Sequence, residues 1–446
     1  MSKIIKLSKG LDIRLQGEAI MQLADAPMAS EYAVSPLDFE GLTPKMLVKV
    51  GDTVEAGTPL FFDKKRPEIL FTSPVSGTVA AVNRGEKRRI LSVVVTADKE
   101  VAYKKFPVLD LASASREQIV ELLLESGLWT MFVQRPYGVI ASPSDMPKAI
   151  FVSAFDSAPL ATDYRFALSE DHDALQKGFE VLGHLTEGKV HLSYDAYGRA
   201  PEFKGVELHA FMGKHPVGNV GVQIHHIDPV NKGEKVWSMN IQDVAILGRL
   251  FLTGKVDMSR VIAVAGSCVA EPMYYRVIAG ASIPSILNGK LSNEHARVIS
   301  GNVLTGRNVG KEGYLGVNAN MITVIPEGDE YELLGWAMPR FKKFSVSRSY
   351  FSWLFPSRKY NLDTNLNGGE RAFVMNDLYE KYLPMDVYPV HLIKACLAND
   401  LDKMENLGIY EVIEEDLALC EFVCPSKIEI QQILRNGINT MIKEEE

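Results

Sequence analysis

Between Leu47 and Val82 the chain alternates apolar and polar residues around glycines, and the two halves of this stretch echo one another. Val50-Gly51-Asp52, Val54, Gly57 and Leu60 space short half-buried strands with turns that call for positive φ. Ser73-Pro74, Ser76-Gly77, Val79 and Val82 repeat the scheme, and the β-branched run from Leu91 to Thr96 closes it with a buried strand. Two such quasi-repeats predict a small flattened barrel.

Around it, Lys6 to Leu15 reads as an opening strand, Ala24 to Pro44 as a loop-rich approach, and Tyr103 to Pro107 as the exit. Ser115-Arg116-Glu117-Gln118 is a capping box, so a helix is expected over Arg116 to Ser126, closed by Gly127 in the left-handed conformation. Strands at Ala149 to Ser153, Val190 to Ser193 and Val206 to Met212 then alternate with helices at Asp171 to Leu185 and Ile241 to Thr253. The second of these helices is capped by Asn240 and ends at Gly254. That alternation predicts parallel βα units in a Rossmann-like α/β domain. Further strands are expected at Val261 to Ala265, Ile283 to Leu287, Arg297 to Ser300, Tyr314 to Gly316 and Met321 to Pro326, a compact β domain with one helix at most. From Val387 the composition shifts to helix formers, and Lys427 to Lys443 has the spacing of a last helix. The expected divisions are 1–105 (barrel), 106–257 (Rossmann-like), 258–332 (β domain), 333–386 (connecting segment) and 387–446 (helical).

Composition narrows the classes. At 446 residues the chain is too long for one ordinary core, and 48 Lys plus Arg against 56 Asp plus Glu leave a net charge of -8, which argues against a general nucleic-acid binder. No run approaches the ~18 consecutive apolar residues of a membrane span, and the opening MSKIIKLSKGLDIRL has no apolar core of a secretory signal. Four cysteines are too few for a disulfide framework, and a reducing cytoplasm is the simplest setting.

Candidate chemistry is sparse. Cys420-x-x-x-Cys424-Pro425 has the tail spacing of a ferredoxin cluster, yet the two upstream positions hold Glu414 and Leu417, and Cys396 and Cys268 lie far away. A cluster domain kept for its packing is the expected reading. His215, His225 and His226 invite a metal, but the adjacent pair, read on a strand, points to opposite sides. No Ser-His-Asp or paired-carboxylate pattern emerges. One charge feature stands out: no acidic residue falls between Glu332 and Asp363, while Arg340, Lys342, Lys343, Arg348, Arg358 and Lys359 interleave with Phe341, Phe344, Tyr350, Phe351, Trp353 and Phe355. A contact with a membrane surface or a membrane-embedded partner is expected there, beside the plainer reading of a solvated connecting segment.

The repeated half-motifs resemble biotin- and lipoyl-carrier domains, in which a lysine on the hairpin between the halves carries the cofactor; here Lys64 and Lys65 occupy that connection. Arg66-Pro67 stiffens it and no Met-Lys pair is present, so a reused barrel with solvated lysines is expected. Taken together, GLWTMFVQRPYG (127–138), AIFVSAFDSAPLATD (149–163), HPVGNVGVQIHHIDPV (215–230), VWSMNIQDVAILGRLFLTG (236–254), RVISGNVLTG (297–306), NGGERAF (367–373) and EEDLALCEFVCPSK (414–427) resemble the NqrA family, the A subunits of the Na+-translocating NADH:quinone oxidoreductase (NQR complex). The resemblance runs end to end and extends to the C subunit of the Rnf complex and the NADH-oxidising subunit of respiratory complex I.

The resemblance implies a barrel-sandwich, a Rossmann-like domain, a β-grasp (SLBB-like) domain and a helical domain resembling a degenerate ferredoxin domain. It also implies a peripheral subunit on the cytoplasmic face of the bacterial inner membrane. The complex would use NADH, flavins, an iron–sulfur centre and Na+, with quinone as substrate and other subunits as partners. Many members carry a further cysteine near the position of Ile409, absent here. Where relatives place a glycine-rich flavin loop, this chain has Gly127 and Gly138 eleven positions apart with bulky residues between, so no flavin or cluster is expected on it. Trp129, Phe132 and Tyr137 could instead face a quinone headgroup with Arg135 donating to a carbonyl oxygen, or serve as core and ion-pair residues. Alternatives are an autonomous flavin-dependent NADH oxidoreductase and a biotin or lipoyl carrier.

Overall fold

The computed structural model describes residues 4–329, 332, 334–335 and 338–445. Leu333, where the connecting segment is expected to begin, lies outside them. Among the described residues, four sheets carry the fold. The barrel is built from one sheet of four strands, ordered Glu31–Val34, Ile90–Ala97, Gly77–Arg84 and Thr53–Val54, and one of three, ordered Pro44–Met46, Pro59–Asp63 and Leu70–Thr72. Leu60, Phe61, Val79 and Val93 fill it. Gly77 (φ 154°) permits the closest strand approach, since a Cβ there would lie 1.9 Å from the Thr96 carbonyl oxygen.

The central sheet has seven strands in the order Ile4–Lys6, Glu207–Met212, Lys189–Asp195, Ala149–Ser153, Val236–Asn240, Val133–Arg135, Val139–Ile140. The first five run parallel and the last two are antiparallel additions. Helices Arg116–Ser126, His172–His184 and Ile241–Thr253 contribute Leu123, Phe179, Leu182 and Leu247 to the core shared with the barrel. The capping box forms as expected, with Gln118 Oε1 accepting from the Ser115 N–H at 2.9 Å and Gly127 at φ 79°.

A third unit is a sheet of six strands, ordered Arg307–Asn308, Ala296–Ser300, Met321–Pro326, Ser259–Ala265, Met273–Ile278 and Ile20–Asp25. The C-terminal part packs Pro389–Ala398, Glu414–Val423 and Ile430–Glu445 around a separate apolar cluster containing Leu392, Leu417, Leu434 and Ile438.

Four expectations change. The opening strand is Ile4–Lys6, ending at the residue where the expected Lys6 to Leu15 strand begins, and it belongs to the central sheet because its partner is Glu207–Met212; Ile20–Asp25 likewise joins the six-stranded sheet, not the barrel. Ile283–Leu287 is a single helical turn: Pro284 in its first turn fits a helix start and would break a strand ladder. Tyr314 makes one isolated bridge to Ser282 in place of a strand. His225 and His226 lie on the helix Val220–Ile227, whose β-branched sequence reads as a strand but whose Val222 and Ile224 are buried as a helical face.

Candidate functional site

The strands Lys189–Asp195 and Val236–Asn240 flank Ala149–Ser153: the chain runs from this strand outward through Lys189–Asp195 and Glu207–Met212, then returns to Val236–Asn240 on its other side, so the strand order reverses here. Such a switch point opens a crevice at the carboxyl ends of parallel strands. Here the crevice is a cavity of about 270 Å³. Its floor is Ser153, Phe155, Asp156, Met239 and Asn240, its roof the loop carrying Asn302, Leu304 and Thr305 from the six-stranded sheet, and one wall Ile413 and Glu415 of the C-terminal part. Three parts of the chain therefore meet there.

Its polar groups are held by hydrogen bonds that fix their direction. Asn240 Oδ1 accepts from the Gln242 N–H, capping the helix Ile241–Thr253, which leaves Asn240 Nδ2 to donate to Tyr164 Oη at 3.0 Å. Asn320 Oδ1 accepts from Gln242 Nε2, and Asn320 Nδ2 donates to the same phenol oxygen at 3.1 Å. Tyr164 thus accepts twice and keeps its own O–H for the cavity, where burial first and Asp156 second raise its pKa and hold the proton on. Opposite, Ser157 Oγ accepts from the Gly218 N–H at 2.8 Å and shares a hydrogen bond of 3.1 Å with His215 Nδ1. Burial pushes His215 down to about 4, and the ring is neutral near pH 7.

Two carboxyls complete the site. Burial raises Asp156 above the usual carboxylate range against the pull of the Ala158 and Ser157 N–H groups. Glu415 lines the cavity and is 36% exposed. Burial pushes its pKa up to about 7 despite Arg135, whose Nη2 lies 2.6 Å from Glu415 Oε1. The cavity therefore combines the Tyr164 phenol and the neutral His215 ring with two carboxyls shifted toward their protonated forms.

The stretch 127–138 reaches this cavity through Val133 and, by way of Glu415, through Arg135. Trp129 and Phe132 have no exposed surface: their rings pack on each other and on Trp237 at 5.1–5.6 Å, and Trp129 Nε1 donates to the Ala141 carbonyl at 2.8 Å. Neither offers an open face to a headgroup. Arg135 is spent on Asp416 and Glu415 and on the Glu411 carbonyl. Tyr137 packs on Tyr410 and bonds to Glu445. Gly221 makes room for the ion pair, since a Cβ there would meet Asp416 Oδ1 at 2.3 Å and Arg135 Nη1 at 2.4 Å.

The basic aromatic segment is partly folded onto the protein. Arg340 and Lys343 pair with Glu332, Lys359 with Glu18 at 2.6 Å, and Phe344 packs on Tyr360 and Phe422. Half of its cations are thus neutralised by carboxylates from outside the strip. What stays open is Lys342 and Arg348, the latter stacked over Trp353 at 5.6 Å, with Phe341, Trp353 and Phe355 about half exposed, while the half-buried Arg358 donates to the Phe341 carbonyl at 3.0 Å.

Cys420 and Cys424 are buried in the apolar cluster of the C-terminal part, and Cys424 Sγ accepts from Tyr379 Oη at 2.9 Å. Burial pushes the Cys420 thiol up, Glu414 is engaged by Arg435 and Leu417 is fully buried, so these residues do not fit a four-thiolate cluster. His225 and His226 bond Glu411 and the Pro384 carbonyl, tying their helix to the C-terminal part. Lys64 and Lys65 are exposed at the barrel hairpin, whose Arg66 donates to the Ile140 carbonyl at 2.8 Å.

Tyr164, Asn240, Asp156 and Glu415 carry the cavity, yet sequence reasoning does not mark them as ligand groups, and Asn240 reads only as a helix cap. The available signal is the switch-point rule, which directs attention to residues just past Ser153 and Met239.

Residues 5–98 match the NqrA N-terminal barrel-sandwich hybrid domain, residues 114–256 the NqrA second alpha/beta domain, and residues 261–311 the NQRA C-terminal domain, an SLBB-type model. The chain is 40% identical over 450 residues to the A subunit of the Na(+)-translocating NADH-quinone reductase of Serratia proteamaculans (strain 568), covering 99% of this chain and 100% of that protein. It is 40% identical over 446 residues to the protein of the same name from Cellvibrio japonicus (strain Ueda107), again over 99% and 100%. Among solved structures, an NAD+-reducing NiFe-hydrogenase in the H2-reduced state aligns at TM-score 0.35 and 12% identity, over 77% of this chain and 66% of that one, and carries no argument.

Proposed function

The chain belongs to the NqrA family, the A subunits of the Na(+)-translocating NADH-quinone reductase, and we propose that within the reductase it holds the quinone ring while the complex reduces it. Its partners are the other subunits of that complex. No helix among the described residues is long and apolar enough to cross a membrane. The protein is proposed to dock from outside the bilayer, on the cytoplasmic face, through the open part of the segment Arg340 to Lys359 against a membrane subunit.

The observation that carries the quinone reading is the switch-point cavity. A quinone ring is flat and mostly apolar, with two carbonyl oxygens that accept hydrogen bonds and that take up two protons when two electrons arrive. Val133, Met239 and Leu304 supply apolar walls, the Tyr164 O–H supplies a donor beside the neutral His215 ring, and Asp156 and Glu415, held toward their protonated forms, supply protons. At about 270 Å³ the cavity is below the usual ~300–1,000 Å³ of drug-sized pockets, which suits a headgroup with its tail leading out. The same carboxyls oppose nucleotide phosphates, and no glycine run offers its N–H groups to them. Electron entry, Na+ conduction and the flavin and iron–sulfur centres are accordingly assigned to partner subunits, and no independent catalytic centre is assigned to this chain. Binding of a quinone analogue to the purified chain, with and without Leu304→Trp to fill the cavity, tests the proposal.

A further inference from the structure

Away from this cavity, the strands Lys189–Asp195 and Glu207–Met212 run parallel, with His191 opposite Glu207 and Ser193 opposite His209. Side chains of alternate residues share a face, so His191, Glu207 and His209 project on the side away from the buried Val190 and Leu192. His191 Nδ1 is 2.9 Å from His209 Nε2 and 3.6 Å from Glu207 Oε2, and one donor atom from each residue lies within 4.8 Å of the others.

We propose that these three residues bind one divalent transition-metal ion of the Zn2+ class. Two imidazole nitrogens and a carboxylate oxygen are the donor set such ions take, whereas Mg2+ and Ca2+ prefer oxygen alone. In the metal-free chain one ring N–H bridges the two imidazole nitrogens. Turning that proton to the outward nitrogen leaves a lone pair on each ring and one on Glu207 Oε2, all directed at one position that a cation can occupy. Binding shifts the histidine N–H groups to the outward ring nitrogens and needs no net proton loss. The ligands are already oriented: Phe151 stacks on His191 at 4.7 Å, and Lys189 holds the other oxygen of Glu207. Glu207 is 43% exposed, which leaves solvent access for entry and for a fourth, water ligand.

The test is titration of the full chain, stripped with chelator, with Co2+ followed by visible absorption and with Zn2+ followed by calorimetry. The expected result is about one ion per chain, with combined Glu207→Gln and His209→Gln weakening binding at least about 10- to 100-fold, the loss seen even for outer-shell groups. The metal-free unfolding midpoint should stay in place. If the double variant fails to fold, His209→Gln alone gives the same readout. His226→Gln, on a histidine bonded to the Pro384 carbonyl, should bind as the parent does. The proposal is overturned if the parent binds no ion more tightly than the double variant, or if His226→Gln weakens binding equally.

Discussion

Arg135 and Asp416 stand 281 positions apart in the chain, yet their guanidinium and carboxylate meet at 2.6 Å with neither side chain more than 1% exposed. This pair joins the penultimate strand of the central sheet, Val133–Arg135, to the first turn of the helix Glu414–Val423, and Asp416 also accepts from the Ile413 N–H at 2.9 Å. The wall of the cavity that carries Glu415 is held in place by it.

Removing one partner strands the other charge in a dry interior. Arg135→Met is expected to lower stability by about 3–5 kcal/mol, and Arg135→Met with Asp416→Leu by less than the two single losses together. Denaturant unfolding of the three variants checks this; strict additivity would show that the two residues do not act as a pair.

Much of the fold is legible because the signals are local. Ser115 and Gln118 specify a helix start whatever surrounds them, and Gly77 and Val79 specify a turn and a strand. What the sequence hides depends on distant neighbours. VGVQIHHI has strand composition but is a helix because Val222 and Ile224 bury one helical face. The strip from Arg340 to Lys359 reads as uncompensated because Glu18, which pairs with Lys359, lies 341 positions away. The cavity is invisible for the same reason: Asp156, Tyr164, Leu304 and Glu415 sit in separate segments, each ordinary in its own context.

Stability should respond to acid with two opposed contributions. His215 is held down to about 4 from 6.5, so between those values only the unfolded chain takes up its proton, and stability falls as pH drops. Glu415 is held up, to about 7 from 4.5, so its ionisation weighs against the fold above that window and is relieved as pH falls through it. Glu415→Gln removes the compensating contribution. Its melting temperature should therefore drop more steeply than the parent's between pH 6.5 and about pH 5, where both contributions act. A parallel profile for the variant would contradict the assignment.

The purified chain should be colourless and free of stoichiometric iron. Visible absorption and elemental analysis check this, and iron that depends on Cys420 and Cys424 would return the C-terminal part to a cluster-binding role.

Charge reversal at the open part of the docking segment, Lys342→Glu and Arg348→Glu, with Trp353→Ser, should release the chain from the complex. Release should come at lower salt than for the parent, because exposed charges are screened. Arg340 and Lys343 are left intact to keep their pairing with Glu332. Co-purification of a folded variant at unchanged salt resistance would remove this surface from consideration.

The most direct test of the central claim is calorimetric titration of the purified chain with a short-tailed ubiquinone analogue. The parent should bind. Leu304→Trp should abolish binding by filling the cavity, and Tyr164→Phe should weaken it about 3- to 10-fold, the weight of one hydrogen bond, with the fold intact by melting. Unchanged affinity in both folded variants would contradict the account, because no quinone could then be held between Tyr164 and the Leu304 loop.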